Sequence, residues 1–399
     1  MNDRVSTRQA WMMLSISVIT SGILYFPTFL MQSSGRDAWL SVILTGLITL
    51  PLSILVVLPG LRFPGQNLIQ YCGIILGDIP ARMVGLVFVF SLLVLLATAV
   101  REFTDLLALD ILPLTPIVVV ASLALLVAGF SVYQGITIIG RAAELIGVLM
   151  FLLVATITVF SLPQADFSNL TPVLEKGWQP LLAGTGIQLK LVTQVALLAF
   201  ILEKLDSPVS AFKAGIGYAI TTTGVIFLTV ATVQIVFPTE YGALLSDSVL
   251  SAIRQVAIGG FITRIEAAIV AIWVSGNFVR FSLIYYLAVS ILAQVLNLKD
   301  HRSTILPTGL LAVSLSLMMF PNIFRLFEFT THTLPVYHSI IYVVFFGFLL
   351  AVAVIRKKGE PTLPLLKQSY KQMTFELASF VSSVKRVYYS IVMPQPPAS

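Results

Sequence analysis

The stretch Thr20-Ser21-Gly22-Ile23-Leu24, with Pro27 one turn later, interrupts the first long apolar segment, which runs from about residue 9 to residue 31. Glycine loosens a helix through its conformational freedom, and proline does so because it lacks a backbone N–H. Unwound backbone at membrane depth is tolerated only where protein or a water-filled cavity covers it. In secondary transporters such breaks form the substrate site near the bilayer midplane. The alternative is a plain proline kink, with a serine bonded back to its own helix.

The composition around this segment is that of a polytopic membrane protein. Of the 399 residues, 57% are hydrophobic and only 11% are charged, which is typical of chains that cross a membrane many times. The single cysteine, Cys72, leaves no pair for an internal disulfide. The first apolar segment is too long for the core of a cleavable signal peptide, so we expect it to direct insertion itself.

Hydropathy predicts ten spans of about 20 residues each. They lie near residues 9–31, 38–59, 82–107, 113–131, 138–162, 184–203, 209–236, 262–296, 304–321 and 334–355. The eighth is longer than one crossing requires, which predicts a helix that tilts or projects beyond the bilayer.

Lysine and arginine are concentrated in alternate connections between these spans, and the other connections carry most of the acids. The basic set comprises Arg4, Arg8, Arg62, Arg82, Arg141, Lys204, Lys213, Lys299, Arg302, Arg356, Lys357 and Lys358. By the positive-inside rule this set is cytoplasmic. Both termini are therefore predicted to be cytoplasmic, and the net charge of +6 belongs to these loops rather than to a nucleic-acid surface.

Two segments outside the spans have amphipathic character. Residues 244–257, in the outer connection after the seventh span, predict a short helix that either lies across the outer face or packs on the domain. Residues 366–392 are basic and amphipathic, which predicts a helix on the inner leaflet or on a partner protein. We therefore expect one membrane domain, residues 1–358, and a cytoplasmic tail, residues 359–399.

Charged residues inside apolar spans are functional candidates by default. Arg101 and Glu102 fall near the outer end of the third span, and Arg264 and Glu266 near the outer start of the eighth. Both pairs are equally explained by snorkelling or by mutual pairing at the interface. Arg280 lies deeper, and it either snorkels to the inner leaflet or pairs with a buried acid, although the core holds no convincing candidate.

The sequence contains no enzyme constellation. It has no paired Cys/His metal spacing, no phosphate-binding glycine loop after a strand and no nucleophile elbow. The three histidines, His301, His332 and His338, are not spaced as a ligand set. We expect neither catalysis nor a cofactor or metal.

Several segments form a characteristic set. They are Phe63-Pro64-Gly65-Gln66, Val100-Arg101-Glu102-Phe103, Gly140-Arg141-Ala142-Ala143-Glu144, Leu170-Thr171-Pro172-Val173-Leu174, and the segment from Arg254 to Glu266 followed by Trp273-Val274. Together, over about residues 5–358 and in consistent order, these segments resemble the spore germination protein family, the permease-like B subunits of germinant receptors.

That family is similar to the amino acid–polyamine–organocation permeases. The resemblance implies an all-α, LeuT-like fold of ten helices, in which one repeat of five spans (about residues 9–162) is mirrored by a second (about 184–355). The first and sixth helices are then broken. Permeases of this type often carry Gly-x-Gly in span one, whereas this chain has only the second glycine, Gly22. Span six has no Gly or Pro between Ile187 and Leu202, so Thr193-Gln194 marks its interruption.

The resemblance also implies a small-molecule site at mid-membrane, where a germinant such as an amino acid binds and signals to the receptor's A and C subunits. Backbone groups of Ser21, Gly22 and Ile23 would bind a carboxylate through a half-helix N-terminus. The implied ligand-binding residues are Thr20, Ser21, Gly22, Ile23, Leu93, Ala97, Thr193, Leu197, Trp273 and Ser275.

Two other functions remain open. An ion-coupled amino acid transporter would share the fold, so the fold cannot decide between transport and sensing. A scaffold for a channel made by partner subunits is the third, and a pocket at Gly22 argues against it. Polar residues in spans six and eight can equally join helices together.

Overall fold

The computed structural model describes residues 4–23, 26–245, 248–255 and 265–361, together with residues 364 and 371. Through this part of the chain the backbone is mostly helical, and its β-type pairing is limited to an isolated bridge between Val5 and Leu205. The α-helices are α1 Thr7–Gly22, α2 Phe26–Ser34, α3 Ala38–Leu61, α4 Leu68–Leu76, α5 Asp78–Asp110, α6 Ile117–Gln134, α7 Ile136–Ser161, α8 Trp178–Val192, α9 Pro208–Val236, α10 Thr239–Gly242, α11 Ser248–Gln255, α12 Ile265–Val295, α13 Ile305–Met319, α14 Ile323–Glu328, α15 Leu334–His338 and α16 Phe345–Ile355.

Nine helical stretches of the described chain are long and apolar enough to cross a membrane, and the first of them, Phe26–Leu61, contains both α2 and α3. Helix α1 has 16 residues, which is too short to cross alone. Together α1 and α2 form the first span, α3 forms the second, and the remaining eight follow in order. The predicted all-α membrane fold is confirmed.

The first span is broken where the sequence predicts. Helix α1 ends at Gly22, α2 begins at Phe26, and Pro27 occupies the first turn of α2, where a missing N–H costs no helical hydrogen bond. Helix α1 packs against α7, α9 and α12, and α2 packs against α8. The two helix ends that flank the break therefore lie inside the bundle, which is where a break at membrane depth is tolerated.

The sixth span changes character at the predicted residue, because α8 stops at Val192 and a 3₁₀ helix runs from Thr193 to Phe200. The Thr193 hydroxyl donates to the Leu189 carbonyl at 2.8 Å, a side-chain bond that competes with the helical ladder. The Ser17 hydroxyl donates to Gln194 Oε1 at 3.4 Å, which joins the two irregular spans. The first helix of each predicted half is thus the broken one, as a 5+5 repeat requires.

Some boundaries differ from the predicted ones. Span six begins at Trp178 rather than near residue 184, because Gly177 turns the chain at φ 76° and Pro180 falls in the first helical turn, where it is tolerated. Span ten begins at Ile323 rather than near 334, because the Asn322 side chain caps the N–H of Arg325 at 3.0 Å. Two π-helical segments, Phe329–Thr333 and Ser339–Val344, interrupt that span.

Helix α4 was not predicted. Asn67 and Gln70 form a reciprocal capping box at its start, with both side-chain bonds at 2.9 Å. This pairing just before an apolar run is a recognised helix-start signal. The eighth span, by contrast, is the single long helix α12, as its uninterrupted hydropathy predicts.

The connections lie at two opposite faces of the bundle. Those after α2, α7 and α9 meet around one cavity, lined by Arg36, Asp37, Glu175, Lys176 and Glu240 among others. At the opposite face the N–H of Val5 donates to the Lys204 carbonyl at 3.0 Å, and Arg62 Nη2 donates to the Lys358 carbonyl at 2.7 Å. Four residues of the predicted basic set, Arg4, Arg62, Lys204 and Lys358, therefore lie at one face.

Helix α11 lies within the segment predicted to form a short outer helix. Val249 and Ala252 are buried, and α11 packs against α9, which agrees with packing on the domain. Residues 256–264 and the predicted amphipathic tail, residues 366–392, lie outside the described residues, apart from residue 371.

Candidate functional site

Three charged side chains from three different spans line one buried cavity. Glu102 comes from α5, Lys190 from α8 and Arg280 from α12. Arg280 is the middle residue of α12, and Lys190 lies just before the end of α8, where span six becomes irregular. Charges at such depth are costly unless they are paired or face a polar cavity. Their convergence marks this cavity as the candidate site.

Glu102 joins the eighth span to the broken first span. Arg280 Nη1 donates to Glu102 Oε2 at 2.9 Å, and the two side chains are 2% and 16% exposed. The Ser21 hydroxyl donates to the same oxygen at 3.2 Å. Of the two alternatives for Arg280, pairing with a buried acid is therefore correct. Arg101 does not pair with Glu102: it bonds Asp105 on its own helix at 2.8 Å.

Lys190 is the charged residue that the sequence analysis missed. It is 5% exposed, and its ammonium lies 5.5 Å from the centroid of the Phe26 ring, within cation–π range. Glu102 and Arg280 are the other charged residues that line its cavity. A lone lysine inside an apolar span was the available signal, since any intramembrane charge is a functional candidate.

The side wall of the cavity is held by Trp273. Its indole N–H donates to the Thr20 carbonyl at 3.0 Å, one of the last carbonyls of α1, which helix geometry leaves in need of other donors. The indole also stacks on Phe103, with ring centroids 5.4 Å apart. Near the same level Gly276 brings α12 against α1, because a Cβ added there would lie 2.3 Å from Thr20 Cγ2.

An aromatic pair forms part of the cavity lining. The rings of Phe29 on α2 and Phe327 on α14 meet edge to face, with centroids 5.1 Å apart and planes at 69°, and Thr330 also lines the cavity. The free volume inside is about 20 Å³, room for about one water molecule. A ligand of several heavy atoms therefore requires the walls to move apart.

Five of the predicted residues line this cavity: Thr20, Ser21, Glu102, Trp273 and Arg280. The other lining residues, Phe26, Phe29, Lys190, Phe327 and Thr330, were not predicted. Span ten was not expected to contribute, and its first turns do so because the span begins earlier than its hydropathy suggests.

Other predicted residues lie elsewhere. Leu93, Ala97, Thr193 and Leu197 are buried in helix packing and are absent from the cavity lining. Ser275 donates its hydroxyl to the Ala271 carbonyl of its own helix at 2.8 Å. Arg264 and the side chain of Glu266 lie outside the described residues.

The half-helix N-terminus also differs in position from the expectation. Gly22 ends α1, and the N–H of Ile23 donates to the Ile19 carbonyl at 2.8 Å, so Ser21, Gly22 and Ile23 belong to the C-terminal end of the first half-helix. The N-terminus of the second half-helix is at Phe26, which lines the cavity. The partial positive charge of a helix N-terminus is therefore contributed by α2.

Two cations and one carboxylate give the cavity lining a formal charge of +1. In a low-dielectric interior such a charge attracts an anionic group far more strongly than it would in water. Within the part of the chain that the structure describes, His, Cys, Asp and Glu side chains form no group of three that could hold a metal ion. The arrangement is suited to binding a small polar molecule.

Comparison with known proteins identifies the family. Residues 4–324 match the family model described as "Spore germination protein". Spore germination protein KB of Bacillus subtilis (strain 168) is 27% identical over 361 residues, 89% of this chain and 96% of that protein. Spore germination protein YndE of the same organism is 26% identical over 377 residues, 90% and 98% of the two chains.

Among solved structures, the chain is similar to Mhp1, a nucleobase-cation-symport-1 family transporter solved in a closed conformation with bromovinylhydantoin bound. The TM-score is 0.44 at 14% identity, over 93% of this chain and 94% of that one. The family match rests on the sequence, over most of the membrane domain. The chain belongs to the spore germination protein family.

Proposed function

We propose that this protein is the nutrient-sensing, permease-like subunit of a spore germination receptor. A small-molecule germinant, for which an amino acid is our expectation, binds in the cavity beside the break in span one. The protein lies in the inner membrane of the spore, with both termini on the core side, as the shared face of its basic residues favours. The change on binding passes to the receptor's A and C subunits.

The observation that carries this proposal is the charged cavity between Ser21, Lys190 and Arg280. Ser21 and Lys190 lie beside the irregular points of spans one and six, and Arg280 lies at the centre of span eight. The cavity is too small for a germinant as it stands, so binding must favour a more open arrangement. A ligand signals only through such a difference in affinity between two conformations.

Two matched serines test the site in dormant spores in which this chain supplies the permease-like subunit. Ser21→Leu places a larger apolar group in the cavity, and Ser275→Leu makes the same change on α12 outside it. We expect Ser21→Leu to raise the nutrient concentration for half-maximal germination strongly and Ser275→Leu to leave it nearly unchanged. Immunoblots of spore membranes check that both variants accumulate. A normal response from Ser21→Leu contradicts the proposal.

A specific observation favours ion-coupled transport as the second candidate. Glu102, which the sequence analysis placed near the outer end of span three, is an acid in the site with a side chain only 16% exposed, and intramembrane acids serve as proton or ion relays in transporters. Proteoliposomes holding the full chain separate the two functions. Saturable binding of an amino acid without accumulation supports the receptor, and accumulation that collapses with the ion gradient establishes the transporter.

A further inference from the structure

We infer that the cavity recognises a small ligand of net negative charge, a carboxylate whose anionic group pairs with the Lys190 ammonium. This inference rests on the proposed function and goes beyond it, because it assigns the ligand's charge class and the residue that reads it. It also implies that a ligand amino group is not required.

The first step is that the cavity's own carboxylate is already engaged. Glu102 Oε2 accepts from Arg280 at 2.9 Å and from Ser21 at 3.2 Å. A ligand ammonium that sought this carboxylate would have to compete with a buried guanidinium. It would also add a third cation to the lining.

The second step is that, among the residues that the structure describes, Lys190 has no carboxylate to itself. The other charged residues of its cavity are Glu102, which is held by Arg280, and Arg280 itself, which is another cation. Its ammonium lies against the face of Phe26, a contact that stabilises a cation without neutralising it. A carboxylate entering beside Phe26 brings the formal charge of the filled cavity to zero.

The third step concerns the rest of the ligand. The remaining walls are largely aromatic, formed by Phe26, Phe29, Trp273 and Phe327. Helix α2, of nine residues, begins at Phe26, so the partial positive charge of its N-terminus lies on the same side as Lys190. The lining thus presents cationic groups for the carboxylate and apolar rings for the ligand body. Simple carboxylates and acidic amino acids fit this description better than sugars or nucleosides.

A charge series of matched size tests the inference on the purified full-length protein in detergent. L-Lactate, L-alanine and L-alaninamide have similar bodies with net charges of about −1, 0 and +1 at neutral pH, and L-aspartate extends the anionic class. The shift in melting temperature with ligand concentration measures binding. We expect the two anions to stabilise the protein more than L-alanine does, and L-alaninamide not to stabilise it.

Variants at Lys190 connect this order to the residue. Lys190→Met should weaken binding of the anions by at least roughly tenfold, because a buried charge partner is lost. Lys190→Arg should retain part of it, and Lys176→Met, in a connecting loop, should match the wild type. If Lys190→Met does not fold, the charge series on the wild type still decides.

The outcomes separate this inference from the proposed function. Equal or stronger stabilisation by L-alanine, no stabilisation by any carboxylate, or unchanged anion binding in Lys190→Met overturns the inference. Spores carrying Lys190→Met that germinate with an unchanged nutrient response also overturn it while leaving the proposed function standing. A normal nutrient response from spores that carry Ser21→Leu is the result that contradicts the proposed function.

Discussion

The guanidinium of Arg280 and the carboxylate of Glu102, on different spans, are 2.9 Å apart inside the membrane domain. The pair lies beside the break in span one, because Ser21 bonds the same carboxylate. Two residues that snorkelling could have explained separately therefore form one unit of the candidate site. The unit has consequences for stability as well as for binding.

Removing either partner alone should destabilise the protein more than removing both. Arg280→Met or Glu102→Gln leaves the other member of the pair without its partner, which costs about 3–5 kcal/mol, whereas the double variant removes both members and leaves Lys190 as the remaining charge of the cavity. We expect its loss of stability to be well below the sum of the single losses. Melting temperatures of the four purified proteins in one detergent measure this coupling.

The exposed pair Arg325–Glu328 provides the control. Its atoms are equally close, at 2.8 Å, but its side chains are 66% and 60% exposed. Arg325→Met should cost about 1 kcal/mol or less. If the double variant loses as much stability as the two single variants together, Arg280 and Glu102 do not act as a pair.

The close approach of α12 to α1 predicts a different behaviour for two glycines. Gly276→Ala should destabilise by about 1–3 kcal/mol, because its new Cβ falls 2.3 Å from Thr20 Cγ2 and overpacks the contact. Gly224→Ala, on α9, meets nothing within 4 Å and should be close to neutral. Thermal unfolding of both variants makes the comparison, and equal melting temperatures would contradict the close contact.

The hydrogen bond from Trp273 to Thr20 predicts a modest effect of Trp273→Phe. Phenylalanine retains an aromatic surface against Phe103 but leaves the Thr20 carbonyl without the indole donor, a loss of about 1–3 kcal/mol. Trp178→Phe, at a residue that is 66% exposed, is the matched control and should change stability little. A melting temperature for Trp273→Phe equal to that of the control would mean that the 3.0 Å bond contributes nothing.

Much of the fold was predictable because long apolar segments report membrane crossings directly. The break in span one followed from Gly22 and Pro27, residues whose backbone properties are local. The change at Thr193 followed only from the family resemblance, since residues 187–202 of span six contain neither Gly nor Pro. The start of α4 could also have been found, because its capping box, Asn67 with Gln70, is a local signal.

The site was predicted less completely, because it depends on contacts between spans. Leu93 and Ala97 were predicted because they lie in the middle of span three. Helix α5 is long, however, and it meets the break at Glu102, nearer to its C-terminal end. The partner of Arg280 could not be identified from spacing, since Glu102 is 178 residues away along the chain. Among the lining residues that the sequence analysis missed, only Lys190 had a local signal, because it is a charged residue within an apolar run.

The sole cysteine of the sequence should be inert in the folded protein. Cys72, on α4, is buried, and burial raises the pKa of its thiol to about 12. Because the thiolate is the reactive form, only on the order of one molecule in 10,000 is ionised at pH 8. Ellman's reagent should detect no thiol in the folded protein and about one per chain after denaturation. Rapid reaction of the folded protein would contradict the burial.

Because Cys72 does not react, cysteine labelling can test whether the Phe29–Phe327 pair closes the cavity. Phe29 lies on α2 between Phe26, in the buried cavity, and Ser33, in the larger cavity at the face of the α2–α3 connection. A thiol at Ser21→Cys should react slowly with a membrane-impermeant methanethiosulfonate, because the Phe29–Phe327 contact covers it. Adding Phe29→Ala should increase the rate of this labelling reaction by about tenfold or more, because the reagent no longer has to wait for the two rings to separate transiently. Ser33→Cys should react quickly with or without Phe29→Ala. Equal rates for Ser21→Cys in both backgrounds would mean that the ligand path does not pass between these rings.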